Sequence, residues 1–170
     1  GSDSTSAATA LGAVAHSDPN PNATMAAVAA VHPLPEGWEV VATTPFSSAR
    51  KWSAAQFADR GAYFFGAPDG LLNAGDTDAR ERADAEAAAG RRVLLLAHSD
   101  LPLAGGELPP EREPVALVLL DDTVRDDALE ILAYFVEQGV EIKVISGDNV
   151  ATVAAVAKRA GVPHAEACVD

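Results

Sequence analysis

The sequence predicts an α+β fold: an antiparallel sheet flanked by helices, followed by a helix–strand–helix fragment of an α/β domain. Three observations predict it. Short strand-like runs follow one another between residues 38 and 66 with only tight turns between them, the signature of an antiparallel meander. Ala-rich and polar segments of helical character stand on both sides of that meander. After residue 121 the rhythm changes to helix, strand and helix with short connections, as in a parallel α/β unit. The division expected is one domain over residues 3–121 and a partial second one over 122–170.

The elements follow in order. "STSAATALGAVAH", residues 4–16, reads as a short helix with Ser4 as its cap. "SDPNPN" is a loop, and Asn22 caps a second helix, 23–31, that Pro33 ends. "WEVVATTPF", "KWSAAQFA" and "AYFFG" are strands, with Asp59-Arg60-Gly61 turning the chain between the last two. "APDGLLNAG" is a helical turn, and "DTDARERADAEAAAG" is a polar helix that Gly90 terminates. "RRVLLLAHS" and "VALVLLDD" are buried strands separated by a loop rich in Pro and Gly. In "VRDDALEILAYFVEQG", Ala128, Ile131, Leu132 and Phe135 form one helical stripe, and Gly139 stops the helix. "VEIKVIS" is a strand, "GDN" a turn with Asn149 as a cap, and Val150, Val153, Ala154 and Ala157 the stripe of a last helix ending at Gly161.

The 170 residues are enough to bury a core. Twelve Lys and Arg stand against 25 Asp and Glu, a formal net charge of -13, which argues against a general nucleic-acid or anionic-membrane surface. An anionic ligand therefore needs a local cluster of cations. The one cysteine, Cys168, allows no intrachain disulfide. The longest apolar runs fall far short of the ~20 residues of a membrane helix. Gly1-Ser2 reads as a cloning scar, and the chain as a piece of a larger protein.

Three constellations carry chemistry. In "PFSSARKWSA" the aromatic Phe46 stands just ahead of Arg50 and Lys51. An exposed ring can stack on a nucleobase while adjacent cations meet a phosphate tail, and Gly66 and Ala67 would let a flat ligand lie close to the backbone. The plainer reading is a core Phe beside surface cations. In "VISGDN", Ser146, Gly147 and Asp148 sit where a strand gives way to a helix, the edge at which open α/β sheets place ligands. An ordinary turn explains the same residues. In "DDTVRDDA", Arg125 can pair with Asp122 or reach a phosphate, and acids at a helix start are expected from the macrodipole alone. Arg92 opens a buried strand and is either surface charge or a phosphate contact. Asp18, Asn20 and Asn22 can hydrogen-bond a base edge, or simply make a turn. The four histidines have no metal-ligand spacing, and no metal site is expected.

The order of these motifs resembles the P-type cation-transporting ATPases. Residues 115–162 resemble the stretch running from the last strand of the nucleotide-binding domain into the phosphorylation domain: an Asp-x-x-Arg hinge at Asp122–Arg125, then Ser146-Gly147-Asp148 in place of Thr-Gly-Asp. The earlier residues resemble the nucleotide-binding domain itself. Phe46 matches the ring that stacks on adenine, Lys51 a lysine near the nucleotide, Gly66-Ala67-Pro68-Asp69 the Gly-Ala-Pro-Glu segment, and Arg92 an arginine that reaches the phosphates. Phe65 stands where the family usually has Lys, Ser48 where many animal calcium pumps have Arg, and "SDPNPNAT" roughly where those pumps carry acids near adenine.

The resemblance, nearest to the bacterial metal cation-transporting ATPase E type, implies a fold, a ligand and a setting. The fold is the pumps' nucleotide-binding domain plus part of the haloacid-dehalogenase-like phosphorylation domain. The ligand is ATP, with Mg²⁺ arriving through it. The aspartyl-phosphate segment Asp-Lys-Thr-Gly-Thr and the Mg²⁺-holding Gly-Asp-Gly-x-Asn-Asp are both absent, so the chain is expected to bind ATP without hydrolysing it. Its partners would be the phosphorylation, actuator and membrane domains of the same pump, on the cytoplasmic side of a plasma membrane, with calcium as cargo; the chain itself would be a monomer. Two rivals come from other classes. A haloacid-dehalogenase-type phosphatase needs Asp-x-Asp after a strand, and Asp76-Thr77-Asp78 has the letters without a strand before it. A non-catalytic interaction module would ignore ATP. A copper- or zinc-type pump would need Ser-x-His-Pro, of which His32-Pro33 keeps only the dipeptide.

Overall fold

The computed structural model describes residues 4–104, 106–121, 124–147 and 150–167. The elements in chain order are α1 (Ser4–Ser17), α2 (Ala23–Val31), β1 (Val40–Ser47), β2 (Trp52–Phe57), β3 (Gly61–Gly66), α3 (Pro68–Leu71), α4 (Thr77–Ala88), β4 (Arg92–Ser99), β5 (Glu113–Leu120), α5 (Ala128–Glu137) and α6 (Val150–Arg159). They pack as two compact units, Gly1–Arg80 with Leu94–Val118, and Glu81–Val93 with Leu119–Asp170.

The first unit is built on the sheet, whose strands lie side by side in chain order, β1-β2-β3-β4-β5. The first four pair antiparallel. Period-two alternation sends β2 and β3 to opposite faces. Ala55, Phe57 and Phe65 join Leu11, Val14, Met25 and Val28 of α1 and α2 on one face. Trp52, Ala54 and Phe64 join Leu71, Leu72 and Leu95 on the other. With both faces covered, β2 is buried along almost its whole length, which is why it carries small residues rather than alternating polar ones. The turn between β2 and β3 holds Arg60 N–H against the Phe57 carbonyl, and Gly61 takes the left-handed φ of +69° that the turn requires. Asn22 caps α2 as expected, accepting from the Met25 amide at 2.9 Å.

β1 is the edge strand, and it is irregular in two places. Val40 faces Phe57 while Ala42 faces Gln56, and Thr44 faces Ala54 while Ser47 faces Trp52, so β1 carries one extra residue at each step. Pro45, with no N–H to give a ladder, falls in the second bulge. Such a bulge re-aims the side chain beside it, and here that residue is Phe46.

In the second unit α5 and α6 form where their stripes predict, and Gly90, Gly139 and Gly161 all take positive φ at helix ends. Arg91 is held from two sides, paired with Glu86 and 3.8 Å from Asp121, and its carbonyl accepts from the Thr152 hydroxyl. One expectation is corrected here. Residues 140–146 make no strand: the β-branched run is there, but no neighbouring strand pairs with it among the described residues, and a strand without a ladder leaves its backbone groups to water. The α5 stripe buries no residue; Ile131 and Phe135 are each 43% exposed, and Ile145 beyond the helix is 97% exposed. The caps expected of Ser4 and Asn149 lie outside the described residues and side chains.

Candidate functional site

A cleft of about 290 Å³ opens in the first unit between the α1–α2 corner and the bulged edge of the sheet. Val14 and Met25 give it an apolar floor, Asp18 and Asn22 a polar rim, Thr43 and Phe46 the opposite wall. Phe46 is 46% exposed, whereas Phe57, Phe64 and Phe65 of the same sheet are buried to 3% or less. A large ring left half in water at the edge of a cleft is not a core residue. The competing view of Phe46 as core is thereby removed, and Phe46 falls within the register shift between Thr44 and Ser47.

Arg50 and Lys51 follow in the turn from β1 to β2. The amides of both reach back to the Ser47 carbonyl, at 3.1 and 2.7 Å. Arg50 is engaged locally: a terminal guanidinium nitrogen donates to the Pro45 carbonyl at 2.8 Å, and the group lies 5.3 Å from the Trp52 ring centre. Its Nε is buried without a hydrogen-bond partner among the described residues. Arg50 thus fastens the bulge, while Lys51 is exposed and holds φ at +61°, a conformation costly for a side chain with a Cβ. The Lys51 carbonyl is fixed by the Ala67 amide at 3.0 Å.

Gly66 and Ala67 meet this same corner from β3. A Cβ at Gly66 would lie 2.6 Å from Trp52 Cα and would run into the Lys51 carbonyl. The missing side chain therefore makes room for the protein's own backbone at the base of the Lys51 turn. Phe65, in the place of a family lysine, is 3% exposed and packs in the core under α1. It contributes no wall to the cleft.

The remaining candidates belong to the second unit. Arg92 is half-buried at the start of β4. Arg125 makes a two-pronged pair with Asp127, at 2.9 and 2.7 Å. Those hydrogen bonds raise the Arg125 pKa and hold the Asp127 carboxyl below its usual range. Ser146 and Gly147 are exposed in irregular chain. Asp122 and Asp148 lie outside the described residues. Asp76 of the Asp-x-Asp sequence accepts from the Asn73 amide at 2.7 Å at the entry to α4, with no strand leading into it, so it is placed as a turn residue. Among the described residues no three His, Cys, Asp or Glu side chains gather as metal ligands, and no helix is long and apolar enough to cross a membrane.

Residues 9–170 match the haloacid dehalogenase-like hydrolase family. The chain belongs to that family. Within it, the chain matches a segment of cation-transporting P-type ATPases. It is 48% identical over 162 residues to the calcium-transporting ATPase CtpE of Mycobacterium tuberculosis (strain CDC 1551 / Oshkosh), covering 95% of this chain and 20% of that protein. It is 44% identical over 156 residues to the protein of the same name from Mycolicibacterium smegmatis, covering 92% and 20%. A probable cation-transporting ATPase, exp7 of Streptococcus pneumoniae serotype 4, is 37% identical over 135 residues, covering 78% and 17%. The chain thus spans about a fifth of the length of the curated relatives it matches.

Proposed function

We propose that this member of the haloacid dehalogenase-like family is the ATP-binding part of a cation-transporting P-type ATPase, with calcium as the cargo. Adenine stacks on Phe46, Lys51 faces the phosphate end, and the γ-phosphate is presented to an aspartate on another domain of the same pump. The setting is the cytoplasmic side of a plasma membrane. The observation that carries this reading is the half-exposed Phe46 ring on the wall of a cleft with an apolar floor. At about 290 Å³ the cleft lies at the small end of the ~300–1,000 Å³ typical of ligand sites. That room suits a base and leaves ribose and phosphates outside, where Mg²⁺ would travel with the phosphates. Arg92, Arg125 and Ser146-Gly147-Asp148 are further phosphate-side candidates of the reading. Arg50 and Arg125 are already engaged, Arg50 with the Pro45 carbonyl and Arg125 with Asp127.

The test is a titration of the chain with Mg-ATP followed by amide chemical shifts, repeated on Phe46→Ala. The affinity expected is near millimolar, about -4 kcal/mol. Shifts cluster around Phe46, Lys51 and the 18–22 loop, and the variant loses ~1–3 kcal/mol of binding, the worth of one stacked base. Because Phe46 is half in water already, folding stability changes little. A titration that moves nothing in this region overturns the reading.

Lys51 gives a second check with two signs. Lys51→Gly removes the penalty of a left-handed side-chain residue, so stability to urea rises by about 1 kcal/mol. The same change removes an exposed cation, so Mg-ATP affinity falls by up to ~1 kcal/mol, an effect that fades with added salt. Equal affinity for both proteins at low salt would exclude Lys51 from the site.

A further inference from the structure

Thr44, Pro45 and Phe46 of β1 line the cleft, and Arg50 does not. Arg50 nonetheless reaches this wall. A terminal nitrogen of its guanidinium donates to the Pro45 carbonyl at 2.8 Å, five residues back along the chain. The register runs from Thr44 opposite Ala54 to Ser47 opposite Trp52, and neither Pro45 nor Phe46 has a partner on β2. The ladder therefore does not fix the peptide that joins Pro45 to Phe46. The bond from Arg50 does. The Pro45 carbonyl belongs to that planar peptide, and the plane sets the direction in which the chain enters Phe46. Arg50 is held in its turn. Its guanidinium lies 5.3 Å from the ring centre of the buried Trp52, and its Nε is enclosed. One donor and one face of the guanidinium are thus committed to the protein itself.

We propose that Arg50 is a positioning residue: it fixes the Pro45–Phe46 peptide, and through it the stacking ring, without touching the nucleotide. This rests on the placement of adenine against Phe46. Two cations adjacent in sequence then serve opposite ends of the ligand. Arg50 acts on the base end through Phe46, and Lys51 acts on the phosphate end as a charge.

The test is Arg50→Lys, which keeps the positive charge. The lysine ammonium ends where the guanidinium carbon stands, so it falls short of the Pro45 carbonyl. A residue that met the phosphates as a charge would tolerate the change. The chain is titrated with Mg-ATP and with adenosine, followed by amide chemical shifts. The expected result is a loss of roughly threefold, the worth of one exposed hydrogen bond, by the same factor for both ligands. The salt dependence of Mg-ATP binding stays as it was. Amide shifts of β3 and β4 in the free protein also stay in place, which separates the effect from a loss of fold. Placed in a Phe46→Leu chain, Arg50→Lys adds no further loss, because a group that acts through the ring has nothing left to position. Unchanged affinities in Arg50→Lys overturn the proposal. A loss confined to Mg-ATP also overturns it and makes Arg50 a phosphate contact. An equal loss with and without the Phe46 ring overturns it too. Mg-ATP binding that is unchanged in Phe46→Leu overturns the stacking reading itself, and the proposal with it.

Discussion

Phe64→Ala is expected to destabilise the sheet unit by about 3–5 kcal/mol, the usual cost of deleting a fully buried aromatic ring. Phe64 has no exposed surface, sits on the middle strand β3, and meets Trp52 edge-on at 5.7 Å between ring centres. The residues that share its core, Trp52, the adjacent Leu71 and Leu72, and Leu95, come from three separate stretches of chain. They are tied to different backbones and cannot all collapse into the space, so a cavity remains. Urea unfolding followed by tryptophan fluorescence checks this: the midpoint falls while the slope stays the same. The measurement also bears on function, because Trp52 anchors the β2 end of the Lys51 turn.

Gly66→Ala is expected to cost about 3 kcal/mol, against the ordinary gain of ~0.4–1 kcal/mol when a permissive glycine becomes alanine. The added methyl would meet Trp52 Cα and Cβ at 2.6 Å and the Lys51 carbonyl, and these are backbone or anchored atoms that cannot swing away. The chain must open the β2–β3 pairing at its Trp52–Gly66 end. Gly75→Ala is the control, since a Cβ there meets nothing within 4 Å and φ is not positive. It should leave stability unchanged or slightly raised. If both variants melt alike, the close approach at Gly66 is not what the strand end depends on.

The elements easiest to read from the sequence were those with local causes. Asn22 capping α2, the tight turn into Gly61 and the glycine stops of α4, α5 and α6 follow from propensities acting over a few residues. The three-strand meander was legible because alternation and turn residues agreed. The second unit was harder. The run 140–146 has the composition of a strand, but a strand is a property of a pair, and one sequence does not disclose whether the partner is present. The α5 helix formed where its stripe predicts, but amphipathicity shows only that a face is apolar, not what lies against it.

The site was legible in part. Phe46 was visible as an aromatic ahead of cations, but neither its exposure nor the extra residue that β1 carries beside it can be read from those letters, and Pro45 was the one hint of an irregular strand. The commitment of Arg50 to the Pro45 carbonyl was out of reach, because it depends on the geometry of that bulge. Asp18 and Asn22 were read as either turn or base contact. In the structure each makes a turn or cap bond with its Oδ1, and both residues line the cleft.

The most direct test of the central claim is a proton NOE measurement on the chain with Mg-ATP at millimolar concentration. Cross-peaks are expected from adenine H2 or H8 to the Phe46 ring and to Met25 or Val14 on the cleft floor, all lost with Phe46→Ala. Adenine cross-peaks to residues of the second unit alone, with none to Phe46, would contradict it.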